Sequence, residues 1–205
     1  LGDRRLIAES LHRRGLIHAT KGEVYLAGRL HEESNAICRE IGDNWGLAEG
    51  ELELASVWMY GGRFGKAAGC YAQAADRYAA LGGRSGYTTA VHLLAWAYTN
   101  LGEYAIAQEH YYRAEELWLA DNDRHGVGIS RMSLGEIALA TGHYAEARAL
   151  LTEGIELLAA VRGPAGVVEG DPALPEFGRP GGPPLDGALE TRPRHQPIPQ
   201  RACRL

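Results

Sequence analysis

The feature that most constrains the fold of this chain is an internal repeat with a period of 40 residues. Blocks that start at residues 1, 41, 81 and 121 align without a gap, and the same residue types recur at fixed columns. The twenty-second column always holds glycine and the twenty-seventh always holds alanine: Gly22, Gly62, Gly102 and Gly142, then Ala27, Ala67, Ala107 and Ala147. A period of this length is typical of solenoids, in which each repeat is one supersecondary unit that buries its apolar face against its neighbours.

Each block predicts two helices joined by a tight turn. Before the glycine column the apolar residues recur at helical spacing, as in Leu54, Ala55 and Trp58,. The glycine then supplies the left-handed backbone that ends a helix, and a second amphipathic segment follows. The sequence therefore predicts an all-α solenoid of antiparallel helix hairpins over residues 1–162, with repeats at 1–40, 41–80, 81–120 and 121–160.

The junctions between blocks carry signals for ending one helix and starting the next. Gly42, Gly82 or Asn122 occupies the second column, where a residue that tolerates left-handed backbone is suited to a helix C-cap,. Asp43 and Asp123 follow directly, and aspartate is a favoured N-cap residue,. These residues predict short turns between hairpins, so that consecutive hairpins stack.

The order of small and aromatic residues in blocks two to four resembles the tetratricopeptide repeat. The matching residues are a small residue (Ala55, Ala95, Gly135), the turn glycine, an aromatic residue (Phe64, Tyr104, Tyr144), the column-27 alanine and a second aromatic residue (Tyr71, Tyr111). The usual unit has about 34 residues, so each block here is longer, which resembles the repeats of large ATP-dependent bacterial transcriptional regulators. The resemblance implies a right-handed superhelical solenoid with a binding role.

Both ends of the chain depart from the repeat. Block one has Arg14, His18 and His31 where other blocks have apolar or aromatic residues, which indicates either a polar capping repeat or the loss of an upstream repeat,. All nine prolines lie at or after Pro164, so we predict a mostly disordered Pro/Gly/Arg-rich tail over 163–205,. We hypothesise that this tail comes from a shifted reading frame and that the chain is a fragment of a longer protein.

No motif in the sequence predicts catalysis. Segment 61–67 resembles a phosphate-binding loop, but the spacing of its glycines is too short and Ala67 stands where a hydroxyl residue would reach Mg²⁺,. The histidines lack zinc-site spacing, and neighbouring carboxylates such as Glu115 and Glu116 diverge on a helix surface,. We therefore expect no catalytic residue, no metal, no cofactor and no enzymatic activity.

Composition argues against several classes of partner. The net charge of −5 argues against direct contact with nucleic acid, and no apolar run is long enough to span a membrane,. The three cysteines lack the paired spacing of a disulfide framework or a zinc site,. These features predict a cytoplasmic protein.

The remaining candidate is a binding surface. In a tetratricopeptide solenoid the first helix of each hairpin lines the concave face, and the resemblance assigns to this groove His12, Leu52, Ser56, Met59, Tyr60, His92, Trp96, Asn100, Met132 and Glu136. Aromatic residues and methionine beside a few polar groups are typical of interaction surfaces. The alternative is that Trp96 and Met132 pack along the seam between helices.

Two functional hypotheses follow from this surface. The first is a protein-interaction or sensory scaffold, from a larger bacterial regulator, that binds a protein, a peptide or other domains of its parent protein. The second is a solenoid that binds a small-molecule effector against Trp96, Tyr60 and His92. A closed cavity of roughly 300 Å³ or more at the groove centre would favour the second hypothesis.

Overall fold

The computed structural model describes residues 2–162, which form eight α-helices in four hairpins. The helices are α1 (Gly2–Thr20), α2 (Val24–Ile41), α3 (Asn44–Tyr60), α4 (Phe64–Leu81), α5 (Arg84–Leu101), α6 (Tyr104–Ala120), α7 (Arg124–Ala140) and α8 (Tyr144–Arg162). The predicted all-α solenoid of helix hairpins is confirmed. The tail predicted at 163–205 lies outside the described residues.

Left-handed backbone at the predicted positions ends the helices. The column-22 glycines have positive φ, at 76° for Gly22, 68° for Gly62, 80° for Gly102 and 83° for Gly142. Between hairpins, φ is 73° at Gly42, 69° at Gly82 and 57° at Asn122. Among the described residues, Asn122 is the one residue with positive φ that is not glycine. A β-carbon is unfavourable in this conformation for most residues, and asparagine tolerates it best. The repeated glycines are therefore required by the turns.

An aspartate caps the first helix of two hairpins, α3 and α7, as the sequence predicts. The Asp43 carboxylate accepts a hydrogen bond from the Gly46 N–H at 2.9 Å, and Asp123 accepts one from the Gly126 N–H at 3.0 Å. Each bond satisfies an N–H that has no partner within the helix. Gly83 occupies the same column in the third block and makes no side-chain cap.

Small residues on each first helix make room for a large residue on its second helix. The ring of His31 lies so close to Gly15 that a β-carbon there would be 2.6 Å from Nε2. In the second and third blocks the residues in the same column as His31 are Tyr71 and Tyr111, which are 0% and 1% exposed. Each second helix also packs against the first helix of the next hairpin, which joins the hairpins into a continuous stack.

His31 is an internal residue of the first hairpin. It is 0% exposed, and the ring of His12 meets it edge-on at 5.1 Å. Burial, with a smaller contribution from His12, lowers the pKa of His31 to about 4. Neither ring nitrogen has a hydrogen-bond partner among the described residues. His31 is therefore enclosed without any upstream repeat, whereas Arg14 is exposed to solvent.

Two buried carboxylates link neighbouring hairpins. Glu51 on α3 accepts a hydrogen bond from Arg77 Nε on α4 at 2.7 Å and lies 3.7 Å from Arg39 Nη2 on α2. Glu115 on α6 accepts two bonds from the guanidinium of Arg131 on α7, at 2.9 and 2.6 Å. Buried carboxylates need such partners because an unpaired charge in an apolar interior is costly.

The described helices are also too short or too polar to cross a lipid bilayer.

Candidate interaction site

The predicted groove residues divide into side chains that pack inside a hairpin and side chains that solvent reaches. His12 contacts His31 on α2, and His92 lies 5.0 Å from the ring of Tyr111 and 5.1 Å from that of Trp118, both on α6. Burial lowers the pKa of His92 to about 4, so it is neutral at physiological pH. The column shared by His12 and His92 therefore faces the second helix of its own hairpin.

The other two members of this column follow the same pattern. Leu52 packs on two buried clusters of the central repeats. Met132 lies over Gly154 on α8, where a β-carbon would be 2.8 Å from the methionine Cγ. Met132 therefore packs along the seam between α7 and α8, which is the alternative that the sequence left open. Met59 belongs to a buried cluster and is 4% exposed, so it offers almost no contact area.

The groove residues that form an accessible group are Tyr60, Trp96 and Asn100, which we call the Tyr60–Trp96 patch. The rings of Tyr60 and Trp96 meet edge-to-face with centroids 6.3 Å apart. Tyr60, at the end of α3, is 57% exposed, whereas Trp96 on α5 is half-buried and packs on two core clusters. Asn100 Nδ2 donates to the Trp96 carbonyl at 2.9 Å. The core thus holds the indole in place beside an exposed phenol and an amide.

Ser56 and Glu136 lie in the same column as Trp96 in the neighbouring repeats. Ser56 Oγ donates to the Leu52 carbonyl at 3.1 Å and lies 3.1 Å from the Tyr71 hydroxyl. Glu136 is exposed, and its charge contributes to raising the pKa of Tyr111. Ser56 therefore completes the packing around Tyr71, whereas the Glu136 side chain faces solvent.

Two cavities in the described region lie away from this patch. The first, of about 290 Å³, lies between α1, α2 and α3. Several of its polar groups already have partners: Arg5 lies 3.5 Å from Asp43, and Trp45 Nε1 donates to Glu49 at 3.2 Å. His12 is the predicted groove residue that lines it.

The second cavity, of about 760 Å³, is a groove between α4, α5 and α6. It contains Tyr98, His110 and Tyr112, none of which the sequence analysis selected. The signal available in the sequence was the Tyr111-Tyr112 pair, in which only one tyrosine can follow the buried stripe of α6,. Tyr111 is 1% exposed and Tyr112 is 47% exposed.

The accessible chemistry of the patch consists of aromatic surface with a few hydrogen-bonding groups. Tyrosine and tryptophan bury large areas at low entropic cost, and the asparagine supplies polar contacts. Within residues 2–162, no three His, Cys, Asp or Glu side chains are placed to hold a metal ion. The described residues thus form a helical-repeat solenoid with an accessible aromatic patch.

Comparison with known proteins identifies the repeat. Residues 87–160 match the tetratricopeptide repeat family model. This part of the chain therefore matches the repeat that the column pattern predicts. Comparison with curated protein sequences gives no match.

Solved structures with the same fold have low sequence identity to this chain. BtubC (BKLC) from P. vanneervenii is 18% identical with a TM-score of 0.69, over 98% of this chain and 70% of BtubC. Aspartyl phosphate phosphatase F from Bacillus subtilis is 14% identical with a TM-score of 0.69, over 77% of this chain and 41% of its own. A Rap protein complexed with competence and sporulation factor is 17% identical with a TM-score of 0.67, over 77% and 44%. This chain thus spans less than half the length of the last two.

Proposed function

We propose that this chain is a protein-interaction module that uses the Tyr60–Trp96 patch to hold a protein or peptide partner. The observation that carries the proposal is the Tyr60–Trp96 contact: a half-buried indole, fixed by the core, lies beside a phenol that is 57% exposed. Anchored aromatic residues of this kind dominate the binding energy of many interfaces. The module makes no covalent change to its partner.

The origin of the module is part of the same proposal. The long repeat supports a place in the repeat region of a larger bacterial regulator, where the solenoid binds a partner or the regulator's other domains. The Rap structure contributes a supporting analogy, since that protein of the same fold was solved as a complex with competence and sporulation factor. We place the module in the cytoplasm.

The small-molecule alternative is less well supported. It requires an enclosed cavity at Trp96, Tyr60 and His92, and none of these three side chains lines either cavity described above. His92 is instead occupied by its contacts with Tyr111 and Trp118. An exposed patch without an enclosed cavity is suited to a peptide or a protein surface.

A peptide selection tests the proposal. Peptides that bind the wild-type chain are selected from a random display library, and their affinities are compared for wild type and Tyr60→Ala. Loss of a hot-spot tyrosine typically costs about 2 kcal/mol, or roughly thirtyfold in Kd. Trp96→Ala is expected to have an effect at least as large, and circular dichroism checks that it still folds.

The matched control is Tyr25→Ala. Tyr25 is 75% exposed on α2 and is not one of the patch residues, so its truncation removes the same group from outside the patch. Its variant should bind with wild-type affinity. Equal affinities for the Tyr60→Ala and Tyr25→Ala variants across all selected peptides would contradict the assignment of binding to the patch.

A further inference from the structure

The groove between α4 and α6, which we call the α4–α6 groove, lies outside the Tyr60–Trp96 patch. Its volume is about 760 Å³. The buried side chains of Val91 and Leu94 on α5 contribute an apolar floor, while α4 and α6 supply the walls. A volume of this size is within the range of ligand-binding clefts, which extends from about 300 to 1,000 Å³.

Aromatic side chains are distributed along the groove. Tyr87 and Tyr98 come from α5, separated by three helical turns, and Tyr112 comes from α6. The ring of Tyr98 stacks on His110 with centroids 5.7 Å apart and planes 8° from parallel. At 1.5 Å per residue, the helix separates Tyr87 from Tyr98 by about 16 Å. A polyproline II segment of about five residues has the same length, because it rises about 3.1 Å per residue.

The charges around the groove are mainly negative. Asp76, Glu109 and Glu116 line it, and the lining contains one permanent cation, Arg113. Arg113 is already engaged, since its Nη1 donates to Glu116 at 3.1 Å. Burial lowers the pKa of His110 despite the opposing effect of Glu109, so His110 adds no positive charge at neutral pH. The groove therefore favours a cationic occupant.

We propose that the α4–α6 groove binds an extended, proline-rich peptide segment that carries arginine. Proline-rich segments dock on aromatic-lined grooves because they enter with their conformation largely preset and so lose little entropy. Their carbonyl groups have no internal hydrogen bonds, so tyrosine hydroxyls can donate to them. Arginine supplies positive charge opposite Asp76 and Glu109, and its planar guanidinium can also stack on a tyrosine ring. A helical peptide has its carbonyls already paired and gains nothing from these donors.

Fluorescence anisotropy with the full chain tests this assignment. The probe is a fluorescein-labelled synthetic peptide with a Pro-x-x-Pro core flanked by arginines. One comparison peptide has glutamate in place of arginine, and another is a basic amphipathic helix of equal net charge. The expected order of affinity is the Pro/Arg probe first and the glutamate peptide last. Equal or tighter binding of either comparison peptide would overturn the proposal.

Variants locate the site. Tyr112→Ala removes a ring that is 47% exposed, so the fold should persist, and we expect at least a tenfold rise in Kd for the Pro/Arg probe. The paired substitution Asp76→Asn with Glu109→Gln should weaken binding and reduce its salt dependence. Tyr144→Ala is the matched control, since Tyr144 is 70% exposed on α8 and does not line the groove. Unchanged binding by Tyr112→Ala, or an equal loss in Tyr144→Ala, would refute the location.

The outcome is separable from that of the proposed function. Tyr60→Ala alters the Tyr60–Trp96 patch and leaves the α4–α6 groove intact, so it should bind the Pro/Arg probe with wild-type affinity. A loss of probe binding in the Tyr60→Ala variant would place the peptide on the other surface and overturn the groove assignment. A Tyr112→Ala variant that loses the probe but keeps the library-selected peptides would support two distinct surfaces.

Discussion

Two glycine-to-alanine substitutions should change stability in opposite directions. Gly102 follows α5 with φ at 80°, and a β-carbon there would meet no atom within 4 Å. Gly69 is exposed within α4, and a β-carbon there would also meet no atom within 4 Å. Each substitution adds the same methyl group without a steric contact. The two sites therefore differ in backbone conformation, left-handed at one and helical at the other.

The size of each effect follows from that difference. Left-handed backbone costs a non-glycine residue roughly 1–2 kcal/mol, part of which is offset by the lower entropy of the unfolded chain. We expect Gly102→Ala to lower the free energy of unfolding by about 1 kcal/mol. In a helix interior alanine is favoured over glycine by roughly 0.5–1 kcal/mol, so Gly69→Ala should raise the free energy of unfolding by that amount. The variants should be separated by about 2 kcal/mol, or roughly 4–8 °C in Tm.

Urea unfolding followed by far-UV circular dichroism measures both variants under the same conditions. A change in midpoint at constant m-value reports a change in stability alone. Gly102→Asn provides an internal check, because Asn122 already has positive φ in another turn of this chain and asparagine should recover part of the loss,. If both alanine variants were stabilised equally, the backbone at Gly102 would not be left-handed and the turn assignment would fail.

Two further stability predictions concern buried polar groups. The folded pKa of His31, about 4, lies below the ordinary value of 6.5, so the unfolded chain takes up a proton first and stability falls as pH drops,. Between pH 7.5 and 5, the free energy of unfolding measured with urea should fall by about 2 kcal/mol less in the His31→Leu variant than in wild type. An equal fall in the two proteins would contradict the burial argument. Arg131→Met leaves Glu115 unpaired and should cost roughly 3 kcal/mol. Adding Glu115→Gln should recover much of that loss in a double-mutant cycle, whereas no recovery would show that the pair is uncoupled.

The sequence predicted the hairpins well because their signals are local. A turn that needs left-handed backbone selects glycine or asparagine at one position, whatever the rest of the chain does. Gly22 and Gly142 therefore mark turns as clearly as the central glycines, although they belong to the outer repeats. The caps at Asp43 and Asp123 are equally local, since each carboxylate bonds an N–H three residues ahead.

The orientation of the first helices was harder to predict. A first helix in this stack contacts its own second helix and that of the preceding hairpin, so much of its circumference is buried. Periodicity then identifies a helix but cannot say which buried side faces the groove. His92 is the clearest case: the column match assigned it to the groove, yet the ring packs against Tyr111 and Trp118. The sequence assigned Tyr60 and Trp96 to one surface, and in the structure their rings meet across two adjacent hairpins.

The first repeat shows that volume can outweigh polarity in choosing a core residue. His31 stands where the fourth repeat has Leu151, and both side chains cover a glycine, Gly15 and Gly135 respectively. The gap above each glycine fits a side chain of moderate size, and histidine fills it at the cost of two unpaired ring nitrogens. At His31, the departure of block one from the pattern is therefore a change in side-chain chemistry at a position that still packs over a glycine.

The junctions between repeats also indicate that their order is fixed. At two junctions a residue in the thirty-fifth column of one block packs with a residue in the eleventh column of the next, and the two match in polarity. Glu115 meets Arg131 in a buried ion pair, and Ala75 and Val91 share an apolar cluster. At the first junction the buried Asn35 lies against Gly50. Exchanging two repeats would place a buried charge against an apolar surface, which costs several kcal/mol. The 40-residue units share a backbone plan but are not interchangeable, and this holds their exposed aromatic surfaces in one arrangement.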